Sequence, residues 1–169
     1  MCEDHVPSTP PVGPHLHLPE LSPEEVHKNI LRCHALKSRV TVKLLRWLNV
    51  LVEQGYAHQL GASNPVQYVM ENLDYLRGEA YQTVKVAAAF KRLPKCIEAF
   101  GRSRISWCKM KQIARIARTK TEEEWLAFAL KHKADDLVIE VNDARASGRK
   151  LPRKNRRGLP CDGTPSPPA

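Results

Sequence analysis

The sequence predicts an all-α fold: a compact bundle of six or seven helices that contains a helix-turn-helix-like pair, flanked by a Pro-rich tail and a basic tail. Three observations carry this prediction. Apolar residues recur at three- and four-residue spacing through most of the interior, as they do along a helix with one buried face. Helix-start signals built from Ser, Asn, Thr, Pro and Glu stand ahead of those runs. Ten of the 13 prolines lie at the two ends, five in residues 1–21 and five in 152–169, which leaves Pro23, Pro65 and Pro94 for the interval between. The expected organisation is a disordered tail over 1–21, a helical domain over 22–148 and a disordered basic tail over 149–169.

Each element has a local reason. In Ser22-Pro23-Glu24-Glu25 the Ser22 hydroxyl can cap an orphan amide, Pro23 suits the first turn, and Glu25 completes a capping box. A long helix should follow as far as Gly55, with Val26, Ile30, Leu31, Val40, Leu44, Leu45, Trp47, Leu48, Leu51 and Val52 as its apolar positions and room for a break near Ser38. Asn64-Pro65 repeats the start signal for a short helix through Val66, Val69, Met70 and Leu73. Leu76-Arg77-Gly78 reads as a tight turn into a helix over 79–92, with Ala80, Tyr81, Val84, Ala87 and Ala88 inward and Gln82, Lys85, Ala89 and Arg92 on another stripe. Pro94 opens a brief helix that Gly101 should end. Ser106 can cap the next, whose buried stripe is Trp107, Met110, Ile113, Ala114 and Ala117. Thr121 with Glu124 forms another capping box, ahead of Trp125, Leu126, Ala129 and Leu130. Over 135–146 the alternation of Leu137, Ile139 and Val141 suits a strand, but acids at the start and Gly148 after the end favour a helix.

The composition, 42% hydrophobic and 27% charged, is that of a folding chain with a net charge of +9. That charge is concentrated: residues 1–21 carry −3, residues 101–121 carry +7 and residues 149–169 carry +5. A basic body selects for an anionic partner. The five cysteines are odd in number and scattered, with no C-x-x-C pair, so neither a disulfide framework nor a zinc finger is indicated and a reducing cytoplasm fits. The acidic, Pro-rich start is unlike a signal peptide, and no apolar run nears the roughly 20 residues that span a bilayer, so no membrane is expected.

The basic residues are the candidate site. Arg102, Arg104, Lys109, Lys111, Arg115, Arg118 and Lys120 fall in 20 residues with no acid among them. Lys111, Arg115 and Arg118 stand at i, i+4, i+7, as if on one helix face. Arg149, Lys150, Arg153, Lys154, Arg156 and Arg157 follow in the tail. Such side chains often do no more than keep a helix face wet, and the acid-rich stretch at 122–148 could neutralise them. Against this, Glu122–Glu124 already complement the dipole at their own helix start, and DNA phosphates are the natural counterpart of so dense a cluster.

The order of LLRWLNVLVEQGYAHQLG, SNPVQYVMENLDYLRGEAYQTVKVAAAFKRLP, GRSRISWCKMKQIARIART and EEEWLAFALK resembles a helical region called domain of unknown function 222, found upstream of an HNH endonuclease domain in bacterial proteins. The similarity covers about residues 38–141, through Gly55, Leu60-Gly61, Arg92-Leu93-Pro94 and Ile105-Ser106-Trp107. The resemblance implies an all-helical module associated with DNA-acting nucleases. The HNH site itself, a histidine base and metal ligands on a ββα hairpin, has no counterpart after residue 141. A non-catalytic accessory module is the expectation, with a separate nuclease subunit or a second copy as possible partners; the rival reading is a module that docks an acidic protein.

No phosphate loop, nucleophile elbow or H-E-x-x-H occurs, and no cofactor is expected. Cys33 and His34 point about 100° apart on a helix and make a poor nucleophile and base pair. Cys96 and Cys108 read as small core residues, and Trp47, Trp107 and Trp125 as core anchors. Cys2, His5, His15 and His17 have the chemistry of zinc ligands but lie in a Pro-rich tail with no supporting shell.

Overall fold

A computed structural model of the chain describes residues 22–153. The chain divides into two compact units, Met1–Cys33 and His34–Ala169. Of the first, the described part is the beginning of α1. The described residues form eight α-helices, one 3-10 turn and no strand: α1 Pro23–Gln54, α2 Tyr56–Gln59, α3 Pro65–Leu73, α4 Arg77–Ala88, α5 Pro94–Gly101, α6 Trp107–Ile116, the 3-10 turn Thr119–Thr121, α7 Glu122–Lys131 and α8 Ala134–Ala146. The all-α prediction holds, and the run over 135–146 is helix. The helix beyond the expected six or seven is α2, a single turn after Gly55.

Helix α1 begins with the expected box: Glu25 N–H donates to Ser22 Oγ at 3.2 Å, and Ser22 N–H donates to Glu25 Oε2 at 2.9 Å. It runs without a break, and the Ser38 hydroxyl bonds back to His34 C=O within it. In the second unit α1 buries Ser38, Leu45, Leu48, Asn49 and Leu51. Trp47 sits about 200° round the helix from Leu45 and is 69% exposed, so it is not a core anchor. Asn64 caps α3 through Oδ1, which accepts from Gln67 N–H at 2.9 Å.

The turn between α3 and α4 falls earlier than expected. Asp74 takes the left-handed backbone at φ 54, and Gly78 lies inside α4. That shift re-registers α4: Ala80, Thr83, Val86 and Ala87 are buried, whereas Tyr81 and Ala88 face solvent. Helix α5 likewise runs through Gly101, where an added Cβ would stand 3.3 Å from Val42 Cγ2 of α1. The left-handed residue is Ser103 instead, and Arg104 N–H and Ser103 N–H return to Ala99 and Phe100 C=O at 2.8 Å.

Ser106 caps α6 as expected, accepting from Lys109 N–H, and Met110, Ile113, Ala114 and Ala117 are buried while Trp107 is half-buried. The expected Thr121 and Glu124 box does not form. Glu122 is buried, and its Oε1 accepts from Cys96 N–H at 2.8 Å, so the acid serves the start of α5 rather than its own helix. Trp125, Phe128 and Ala129 are the buried apolar residues of α7, and Leu130 is exposed. Leu137, Val141 and Ala144 bury α8, with Glu140 between them.

Helix α8 ends in a Schellman turn. Gly148 adopts φ 67, Gly148 N–H donates to Arg145 C=O, and Arg149 N–H donates to Ala144 C=O at 2.8 Å. The chain is thereby turned back on the body, and residues 149–153 are held there, so the basic arm does not depart at 149.

Burial raises the Cys96 thiol to about 12, with the Glu122 charge and its hydrogen bond acting in the same direction. Cys33 and Cys108 are exposed, which corrects the core reading of Cys108. Since the thiolate is the reactive form, a thiol reagent at mild alkaline pH is expected to modify Cys33 and Cys108 in the folded protein. Cys96 should react only after denaturation, as mapped by mass spectrometry.

Candidate nucleic-acid interface

Where α6 ends, the chain builds a basic cleft. After Ile113 C=O accepts from Ala117 N–H, the backbone turns extended at Ala117, with ψ 144, and swings Arg118 off the helix. The Thr121 hydroxyl accepts from Arg118 N–H at 3.0 Å and offers the chain a local partner in place of another helical turn. Thr119 Oγ1 donates to Arg92 C=O and ties the 3-10 turn to the segment after α4. Arg92 in turn donates from Nη2 to Ala114 C=O at 3.2 Å, answering a carbonyl left open at the end of α6. The opposite wall is the returning chain: Arg149 Nη1 bonds Glu140 Oε1 at 2.8 Å, Arg153 N–H donates to the same oxygen at 2.9 Å, and Trp125 Nε1 donates to Lys150 C=O at 3.0 Å.

The result is an open cleft of about 740 Å³ lined by Arg92, Arg115, Arg118, Lys120, Arg149 and Lys150, together with Ile116, Thr119 and Thr121. None of these lining residues is acidic. Arg92 Nε and Arg149 Nη2 are buried with no hydrogen-bond partner among the described residues. Burial, and then the charge of Arg118, both push the pKa of Arg92 down.

Five of the sequence-predicted residues therefore meet: Arg115, Arg118, Lys120, Arg149 and Lys150. The others do not. Lys111 lies one turn before Arg115 on α6, and it does not share a helix face with Arg118, because α6 stops at Ile116. Lys109 turns the other way and donates from Nζ to Ala129 and His132 C=O at 2.7 and 2.6 Å, closing the end of α7. Arg102 pairs with Glu98 on the surface at 2.7 Å, and Arg104 is exposed elsewhere. The Arg153 side chain borders a different hollow, beside His132 and Leu151. Lys154, Arg156 and Arg157, and also Cys2, His5, His15 and His17, lie outside the described residues. Sequence reading missed Arg92 as a site residue; it stands 22 positions from Ala114, and only packing brings them together.

Among the described residues no group of three or more His, Cys, Asp or Glu is placed to hold a metal, and no helix is long and apolar enough to cross a membrane. No family model, curated protein or solved structure matches the chain.

Glu140 is fully buried and holds one wall of the cleft. Burial raises its carboxyl pKa, but the bonds from Arg149 and the Arg153 amide, with the charges of both arginines, outweigh that and hold it below the ordinary carboxylate value. A depressed carboxylate stabilises the fold above its unfolded pKa of about 4.3 and loses that contribution as pH falls through the folded value. Glu140→Gln should therefore lower unfolding free energy by about 3 kcal/mol at neutral pH. It should also flatten the loss of stability on acidification, both measured by urea unfolding across pH.

Proposed function

We propose that this chain is a non-catalytic nucleic-acid-binding module that holds backbone phosphates of DNA in the cleft at the end of α6. One observation carries the reading: six cationic side chains from three separate stretches of sequence line one cleft in which no lining residue is acidic. Arginine forks suit phosphate oxygens, and the two unpartnered guanidinium N–H groups are donors that an anion would satisfy. Contacts of this kind position a strand without reading its sequence. Lys154, Arg156 and Arg157, next in the chain, extend the same charge. The resemblance to the nuclease-associated helical region supports a role beside an HNH nuclease supplied by another chain or domain, and a cytoplasmic setting suits that role.

A second reading, docking of a protein partner or a second copy, is favoured by a different surface. Leu36, Val40 and Trp47 lie within about 40° on α1 and are 61%, 55% and 69% exposed.

The triple change Arg115→Ala, Arg118→Ala, Lys120→Ala is expected to weaken duplex binding and to flatten the plot of log K against log salt by about 0.9 per lost phosphate contact. Lys109→Ala should lower thermal stability and leave that slope unchanged. Equal slopes for the wild type and the triple variant would remove the cleft from consideration. If α1 is a docking face, sedimentation of the wild type will show association that Trp47→Ala abolishes.

A further inference from the structure

A second hollow lies at the opposite end of α6. Phe100 and Trp107, with ring centroids 5.6 Å apart and planes at 47°, line a cavity of about 190 Å³ that Ser38, Tyr75 and Thr83 also border. Its most telling atom is Thr83 Oγ1. Thr83 is 2% exposed, and this hydroxyl has no hydrogen-bond partner among the described residues, an unusual state for a buried polar group. Leu44, Tyr75, Phe100 and Trp107 give the cavity its apolar wall, while His34, Lys37 and Glu79 bring charged or titratable groups to the same lining; stacking surface beside polar groups suits a flat heterocycle that carries donors and acceptors on its rim. The size agrees: a cavity of about 150 Å³ takes up benzene, so 190 Å³ admits one heterocyclic base and excludes a base pair.

The cavity and the basic cleft share the same two helices. Thr83 of α4 and Trp107 of α6 meet at the cavity, while Arg92, just past α4, reaches Ala114 near the end of α6. Helices α4 and α6 therefore both run from cavity to cleft. Along α6, Trp107, Lys111 and Arg115 stand at i, i+4 and i+8 in one row, all half-buried, and span roughly 12 Å. Lys111, left out of the cleft, lies midway along this row.

We propose that the cavity receives one unpaired base of the DNA strand whose phosphates occupy the cleft, so that the module favours single-stranded or frayed DNA over intact duplex. The proposal rests on the phosphate reading of the cleft. Bases stacked in a duplex present only their edges to a protein; a ring enters a pocket only when it is unpaired or extruded.

The test is fluorescence anisotropy with the full chain and three labelled probes: a mixed-sequence single strand, the same strand with every base replaced by an abasic sugar, and the blunt duplex. Each is titrated with wild type, Thr83→Val and the Arg115, Arg118, Lys120 triple alanine variant. Valine keeps the shape of threonine and removes only a hydroxyl that the fold leaves unpartnered, and circular dichroism confirms folding. The wild type should bind the intact strand about tenfold more tightly than the abasic strand, the scale of one stacked base. Thr83→Val should narrow that gap, and the triple variant should weaken both strands while preserving it. Equal affinity for intact and abasic strands, or a gap untouched by Thr83→Val, overturns the base pocket. If the triple variant still weakens both strands in that event, the cleft survives; a triple variant that binds every probe like wild type removes the cleft instead.

Discussion

A carboxylate in an apolar interior must find compensation within hydrogen-bond reach, and Glu140 imposes that demand on the end of the body. Its neighbours on α8, Leu137, Val141 and Ala144, are buried with it, so no water-facing route is open to the charge. Compensation comes from residues 149–153, delivered by the Schellman turn at Gly148. Once Arg149 is drawn to Glu140, Lys150 lies where its carbonyl meets the Trp125 indole. One wall of the cleft thus follows from a solvation requirement rather than from any attraction among the cations that line it. Only one oxygen of Glu140 is used, and its other oxygen and Arg149 Nη2 stay unpartnered among the described residues.

The many cations of the chain divide by what they meet. Arg92 and Lys109 answer helix-end carbonyls, where positive charge complements the dipole. Lys91, Lys95 and Arg102 meet Glu53, Glu123 and Glu98 at the surface, pairs of the exposed kind that contribute little. Arg118, Lys120 and Lys150 have no ion pair among the described residues, and all three line the cleft. What distinguishes the cleft from an ordinary wet helix face is that cations from separate elements converge on it with no acid in its lining. Of the acid-rich stretch, Glu122 is spent on the Cys96 amide, whereas Glu140 does pair with one cleft cation, Arg149.

Much of this was legible in the sequence because it depends on neighbours in the chain. The caps at Ser22, Asn64 and Ser106 and the helices they start need only residues three or four positions away. Legibility failed where distant residues decide. Gly101 reads as a stop, yet it is a close approach to Val42, and a serine two positions later carries the left-handed turn. Trp47 follows the spacing of an apolar stripe, but the core takes the side of α1 that holds Leu45 and Leu48. In the cleft, Arg115, Arg118, Lys120, Arg149 and Lys150 were visible as charge, whereas Arg92 joins them only through an acceptor on another helix, and Lys109 is lost to two carbonyls for the same reason.

The indole bond from Trp125 to Lys150 bears on where this fold stops. Helix ends suggest cutting the chain at Ser147 or Gly148, yet a fragment trimmed there would strip the acceptor from a fully buried tryptophan and the counter-charge from a fully buried glutamate. A piece that keeps both bonds accordingly extends at least through Arg153, five residues past Gly148.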